Sequence, residues 1–577
     1  MSPTLAGHQA GPGADELERR LGDPWDPANP LGFDRVLAAD EREEMFGDGE
    51  RALDGYGLNA EFVPAELGGR LTGMDRMVDV LRAVYRRDPC LGLGYGTSSF
   101  IAAVNVWTAG DAVQQLTVAD LLLTNRKIAC AYHELAHGND MAGTELAARP
   151  GDDRLLLRGR KEVVTNIERA DALVLFARTD PGPGSRSHSL FFLEKDTLPA
   201  GGYRYLPRFR SAGMRGVQLG GMEFRDCPVG PSSLLGPAGH GLETAVRAFQ
   251  LTRTALPAMT TGLLDTGLRV TLRHVLNRRL YGRPVAELPQ VRSVLVNAFA
   301  DLLMCEAMAR AGLRALHLLP EETSVYAPAV KFGLAQPLLE AMQQLAGVLG
   351  AEFYLRDGPH AIFQKLVRDI KPVAFAHIAR AVCQATILPQ LPLLARRSWR
   401  DGEPAPDALF RPGAALPPLA FERLRVSAGG RDHFAPSLAA GLTALGSPTD
   451  PQVREVARLA AGFAAELQAL RAACAELNPR RLSFPAGVDA NELPARYVRV
   501  LMATACFELW RHHHTTGHGF LAEPAWALAV LTRLAATGGP APVLPPEVEG
   551  RMFAELLDRH EAGRSFGLAD GSRTTAG

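Results

Sequence analysis

Residues 208–245 read RFRSAGMRGVQLGGMEFRDCPVGPSSLLGPAGHGLETA, and the fold turns on this run. A turn bounded by Gly213 and Gly216 precedes a strand-length stretch reaching Val229. Pro, Gly and Ser then punctuate the chain, and GHGLETA has the character of a helix start. Working back towards the N-terminus, RLLLRGRKEVVTN, ADALVLFART and SHSLFFLEKD are short runs rich in β-branched and aromatic residues, separated by Gly, Asp and Pro. They predict a compact antiparallel β domain. Before them, VLAADEREEMF and MVDVLRAVYRR carry apolar residues at helical spacing, with the turn VPAELGGRLTGM between. After them, GLETAVRAFQLTRTALPAMTTGLLDTGLRVTLRHVLNRRL and VRSVLVNAFADLLMCEAMARAGLRALHLL are long enough for the helices of a bundle. The Pro-rich, charged stretch RRSWRDGEPAPDALFRPGAALPP has no helical period and reads as a linker. VREVARLAAGFAAELQALRAACAEL and ARYVRVLMATACFELWRHHH then begin a second helical module. The expected architecture is α+β: a leader and helical domain over 1–127, a β domain over 128–235, a helical bundle over 236–398, and a linker with a helical extension over 399–577.

Composition narrows the function classes. The 577 residues exceed what one compact core usually holds. With 47% hydrophobic and 22% charged residues the usage is that of an ordinary globular protein. A net charge of -1 offers no field for nucleic acid or an anionic membrane. No stretch has the roughly eighteen uninterrupted apolar residues of a membrane span, and the N-terminus lacks the basic and apolar regions of a secretory signal, so a cytoplasmic location is expected. The seven cysteines form no CxxC pair, which argues against a zinc module or a disulfide framework. His512, His513, His514 and His518 offer two ligands on one helical face, His514 and His518. No acidic or Cys partner stands nearby, so a solvated helix end is the better reading and no metal is expected.

From about Arg35 to Trp399 the sequence resembles the acyl-CoA dehydrogenase and oxidase superfamily. The 208–245 run matches that family's Gly-Met-Arg-Gly, strand, acidic turn, Leu-Leu-Gly and Gly-x-Gly helix start. RRLYGRPVAELPQVR is similar to its Arg-rich helix end followed by Phe-Gly-Arg-Pro. The resemblance makes Arg278 a contact for the flavin pyrophosphate of a neighbouring subunit, a task suited to a guanidinium fork. CAYHELAHGND lies where the family holds the isoalloxazine and the acyl carbonyl, which implies cofactor contacts for His133, Glu134 and Asn139. The alternative is that Glu134 and Asp140 simply fix a tight loop. KEVVTN is similar to Lys-x-Trp-Ile-Thr-Asn: Thr165 is kept for the ring, and Val163 replaces the aromatic. Gln343 and Gly347 match the adenine-side glycine turn weakly, and a plain buried helix turn competes there. Asn139 and Arg253 are implied at the substrate.

The resemblance implies FAD and an acyl thioester on CoA or on a carrier protein. It also implies a homodimer or homotetramer, and electron-transfer flavoprotein or oxygen as acceptor. The family's base is a Glu eight residues after an Arg-Asp pair. Here that pair is Arg368-Asp369 and the position holds His377, followed by Ile378-Ala379-Arg380 where Gly-Thr-Ser is usual. A second known placement, just before the Arg of the long helix, holds Thr252. Imidazole titrates near neutrality and is a competent base when neutral. A lone His in an apolar helix is more commonly a packed or hydrogen-bonded side chain. Three readings follow: α,β-dehydrogenation with His377 or an unrecognised residue as base, flavin chemistry needing no such base, or a redox-inactive binding and assembly subunit.

Overall fold

In the computed structural model the described residues are 13–478, 482, 488–536 and 542–568. The N-terminal part is helical, as its periodicity requires, with Ala14–Leu21, Phe33–Glu41, Gly47–Tyr56, Met74–Arg87, Ser98–Ala109 and Ala112–Leu123 as its main helices. The last begins with a reciprocal cap in which Asp111 accepts from Gln114 N and the Gln114 side chain accepts from Asp111 N.

The β domain is one eight-stranded sheet. Its strands are β1 Ile128–Ala131, β2 Ala147–Pro150, β3 Leu155–Thr165, β4 Ala172–Arg178, β5 His188–Glu194, β6 Tyr203–Leu206, β7 Leu219–Val229 and β8 Leu234–Leu235. They run in the order β6-β7-β3-β2-β4-β5-β8, with β1 against β4. Most pairs are antiparallel, as expected from the sequence. The β1–β4 pair is parallel, and so is the single β2–β4 contact between Ala147 and Arg178. Between β1 and β4 the chain makes the β2–β3 hairpin, so it re-enters beside β1 in the same direction.

The helix Gly241–Asn277 is unbroken over 37 residues, although Pro257 lies inside it. Proline has no N–H, so the carbonyl of Arg253, one turn back, loses its helical partner. Pro289–Leu318 and Thr323–Leu349 pack against this helix to form the bundle. One continuous apolar core runs from Leu17 through the bundle to Leu568, and a separate cluster fills the sheet. The Pro-rich stretch read as a linker is packed against this core: Trp399, Ala405, Leu409 and Phe410 are buried. Trp399 Nε1 donates to Asp432 Oδ2 at 2.7 Å. Asp432, fully buried, also accepts from the hydroxyls of Tyr326 at 2.9 Å and Tyr497 at 2.8 Å, tying the bundle to the C-terminal helices. Among the described residues no helix is long and apolar enough to cross a membrane.

Candidate active site

Gly241–Asn277 supplies one wall of a cavity of about 1090 Å³ lying between the sheet and the bundle. Leu242, Val246, Phe249, Arg253, Thr260 and Leu263 face it at steps of three, four or seven residues, the signature of one helical face. At 1.5 Å per residue this face spans roughly 30 Å, so the cavity is long and narrow. Its lining is mostly apolar, with a few polar groups.

His377 lies on this cavity. It is not on a helix, although its ring is both packed and hydrogen-bonded, as the competing reading expects. Lys371–Ala374 is a single 3₁₀ turn and the next helix starts at Arg380, so His377 falls in the bend between them with φ +66°. A bend of left-handed backbone turns this ring out of helical register and onto the wall. His377 Nε2 lies 2.6 Å from Thr252 Oγ1, and the ring packs edge-on to Phe249 with centroids 4.5 Å apart. The two places where an acid was sought in the sequence, 377 and 252, are therefore in direct contact. Burial holds the His377 pKa well below its ordinary value, and the charges of Arg253 and Lys331 press the same way. The imidazole is neutral at physiological pH.

The opposite wall comes from the sheet. The β3–β7 register slips between Lys161 and Val164, a bulge that places Val163 at φ +56°. A β-branched residue is strained in that conformation. Val163 and Thr165 both line the cavity there, and among the described residues the Thr165 hydroxyl has no hydrogen-bond partner. Beside them, His133, Glu134 and Asn139 lie on the loop after β1. The Glu134 carboxylate is engaged within the protein: Lys161 Nζ donates to it at 2.7 Å, and Glu145 N and Leu146 N at 2.8 and 3.1 Å. Burial would raise its pKa, but these donors outweigh burial and leave it lowered. Burial pushes Lys161 down to about 8. Asp140 accepts from Gly143 N. Glu134 and Asp140 thus fix the loop, while the Asn139 amide has no partner among the described residues.

The Gly-Met-Arg-Gly turn closes one side. A Cβ on Gly213 would meet the Arg368 carbonyl at 2.6 Å, and one on Gly216 would meet the Glu44 carbonyl at 2.5 Å, so close approach of backbone requires both glycines. Met214 N donates to Asp369 Oδ1 at 2.6 Å, while Arg215 and Arg368 both reach the buried Asp40, at 2.5 and 2.7 Å. Asp88, Cys90 and Asp369 converge here with the spacing of metal ligands, but Lys365 Nζ already donates to both carboxylates at 2.6 Å, supplying the cation.

Arg278, Gln343 and Gly347 lie apart from the cavity. Arg278 is half exposed, with Glu352 at 3.9 Å. Gln343 and Gly347 sit on the exposed face of Thr323–Leu349, not in a buried turn, because Met342, Leu345 and Ala346 take the inward positions. The helix Val488–His514 ends before His518, with Gly517 at φ +71°, so His514 and His518 do not share a helical face. His514 instead donates from Nδ1 to the Ala522 carbonyl at 3.0 Å. Sequence reasoning passed over Lys331, which lines the cavity from an otherwise apolar helical stretch, VYAPAVKFGLA. An isolated Lys in such a stretch was the available signal.

Family models agree with this layout. The acyl-CoA dehydrogenase middle domain matches residues 129–227 and the acyl-CoA dehydrogenase C-terminal domain matches residues 239–377. Mitochondrial isovaleryl-CoA dehydrogenase of Oryza sativa subsp. japonica is 25% identical over 322 residues, covering 56% of this chain and 77% of that protein. Human mitochondrial short-chain specific acyl-CoA dehydrogenase is 25% identical over 279 residues, covering 48% and 66%. Among solved structures, butyryl-CoA dehydrogenase from Megasphaera elsdenii superposes with a TM-score of 0.59 at 17% identity, over 67% of this chain and 98% of that one. The prolyl acyl carrier protein oxidase AnaB gives 0.56 at 20% identity, over 61% and 92%. At such identities these two share the fold. Both domain models match in chain order, so the sheet and bundle that enclose the cavity are the middle and C-terminal domains of the acyl-CoA dehydrogenase superfamily.

Proposed function

We propose that this protein is a FAD-dependent oxidoreductase that dehydrogenates an acyl thioester between Cα and Cβ, with His377 as the base. The observation that carries this is the His377 imidazole on the cavity wall, 2.6 Å from Thr252 at the meeting point of both acid positions. Thr252 Oγ1 is also 3.3 Å from the Phe249 carbonyl. When its one proton goes there, His377 Nε2–H donates to Oγ1 and Nδ1 is left as the bare basic nitrogen.

The walls fit a flavin ring. Apolar faces, the Val163 bulge, the Thr165 hydroxyl and the Asn139 amide line the cavity, in a volume above that of a typical single-ligand pocket. When bound, FAD supplies the hydride acceptor. The chain's own residues hold the ring, shield it from water and take the α-proton at His377.

Arg278, Gln343 and Gly347 would serve the dinucleotide half, and their place on the outside accords with a second copy completing that half of the site. Leu280, Tyr281 and Tyr354 are exposed, Tyr281 at 89%, near Arg278 and its neighbour Glu352, which suits such an interface. The thioester arm is CoA or carrier-protein pantetheine. The acceptor is electron-transfer flavoprotein or oxygen, two outcomes that aerobic reoxidation of the reduced protein separates.

The test is the visible spectrum of protein reconstituted with FAD, before and after anaerobic addition of acyl thioesters. Bleaching of the flavin band with formation of the enoyl product supports the reading. Flavin that binds but never bleaches overturns it, and failure to bind FAD would favour the assembly-subunit reading.

A further inference from the structure

Two cations line the cavity without a counter-ion. Arg253 is 7% exposed and Lys331 2%. Among the described residues neither has an ion pair or a hydrogen-bond partner for its side chain, and Arg253 Nε is buried and unsatisfied. The carboxylates on the cavity are committed elsewhere: Glu134 to Lys161, Asp369 to Lys365 and to Met214 N, and Asp140 to Gly143 N. Arg253 and Lys331 are near enough to oppose each other's charge, and both act on His377. Two like charges buried together without an anion are costly to fold, so the arrangement points to a ligand that neutralises them.

We infer that the substrate carries a free carboxylate on its acyl group, bound between Arg253 and Lys331. This rests on the dehydrogenase reading and names its substrate class. Both cations act on the base position, so the negative charge belongs to the acyl portion beside the reacting carbons. Cys383, the other group coupled to both cations, is fully buried, with a thiol pushed up to about 11 by burial, so it stays neutral and does not replace the missing anion. The guanidinium fork binds a carboxylate with two hydrogen bonds, and the ammonium adds a point charge.

The experiment measures, by isothermal titration calorimetry on the full chain, the affinities of glutaryl-pantetheine and of uncharged valeryl-pantetheine, which has the same five acyl carbons. Wild type is expected to favour the glutaryl probe by about tenfold or more. Lys331→Met should bring that ratio close to one, and Lys331→Arg, which keeps the charge, should retain most of it. A wild-type ratio near one overturns the inference, and so does a ratio that Lys331→Met leaves intact. If valeryl-pantetheine bleaches the FAD-loaded protein as readily as the glutaryl probe and the ratio is near one, the dehydrogenase stands and the carboxylate site falls. The same holds if Lys331→Met slows bleaching by both probes equally, which would give the cations to the reacting carbonyl. If the glutaryl probe is strongly favoured but never bleaches flavin, the carboxylate site stands and the dehydrogenase falls.

Discussion

Replacing His377 with Asn separates its chemistry from its backbone role. At φ +66° any Cβ is strained by roughly 1–2 kcal/mol, a cost that His377 already carries. Asn tolerates the left-handed region, keeps a polar side chain near Thr252 and cannot accept a proton. Stability and flavin content should therefore stay close to wild type, with the change confined to proton removal. A positioned base contributes about 10²–10⁴-fold, or about 3–5 kcal/mol of transition-state stabilisation. The assay is stopped-flow bleaching of the FAD-loaded protein, run beside washout of α-deuterium from the thioester, and His377→Asn should slow both by that factor. The pH profile carries the second half of the prediction. Because the folded pKa lies well below 6.5, the rate should be level from pH 6.5 to 8 and fall only at lower pH, as the ring takes a proton. Acid also weakens the fold through this group: below pH about 6.5 the unfolded chain protonates His377 first, so stability is lost as pH falls. Bleaching and washout in His377→Asn within threefold of wild type would refute the argument and move the base elsewhere.

Three other substitutions test the surrounding physics. Lys331, pushed down to about 8 by burial, binds fewer protons folded than unfolded between pH 8 and 10.5. At pH 7 this depression costs the fold about 3 kcal/mol, so Lys331→Met should raise the melting temperature of ligand-free protein, and the gain should shrink as pH rises from 8 to 10. Lys161→Met leaves the Glu134 carboxylate buried without its cation and should destabilise by about 3–5 kcal/mol, read by denaturant unfolding; a loss below 1 kcal/mol would mean that the backbone donors suffice. Asp432→Ala orphans the donors of Tyr497 and Trp399, while the Tyr326 hydroxyl keeps Glu322 at 2.6 Å, and should cost at least about 2 kcal/mol. Hydrogen exchange should then show the C-terminal helices opening at lower free energy than the sheet.

Local pattern and the placed glycines determined the sequence of helices, sheet and bundle. Gly213 and Gly216 mark their turn in the sequence because no other residue allows that backbone approach. Period-two and period-3.6 runs report which face of an element is apolar, and that is information each segment carries by itself. His133, Asn139, Thr165, Arg253 and His377 were singled out by the family resemblance and not by spacing alone, and all five line the cavity. Tertiary structure alone decided the rest. The contact of His377 with Thr252 joins residues 125 positions apart. That Glu134 is occupied by Lys161, and that Arg253 and Lys331 meet no carboxylate among the described residues, depends on which side chains folding brings within hydrogen-bond reach. The parallel β1–β4 pair and the Asp432 network likewise depend on how distant segments return. Sequence spacing fixes the direction in which a side chain leaves its own element; what it meets is set by the other elements of the fold, and in a buried site that meeting determines which charges are balanced and which await a ligand.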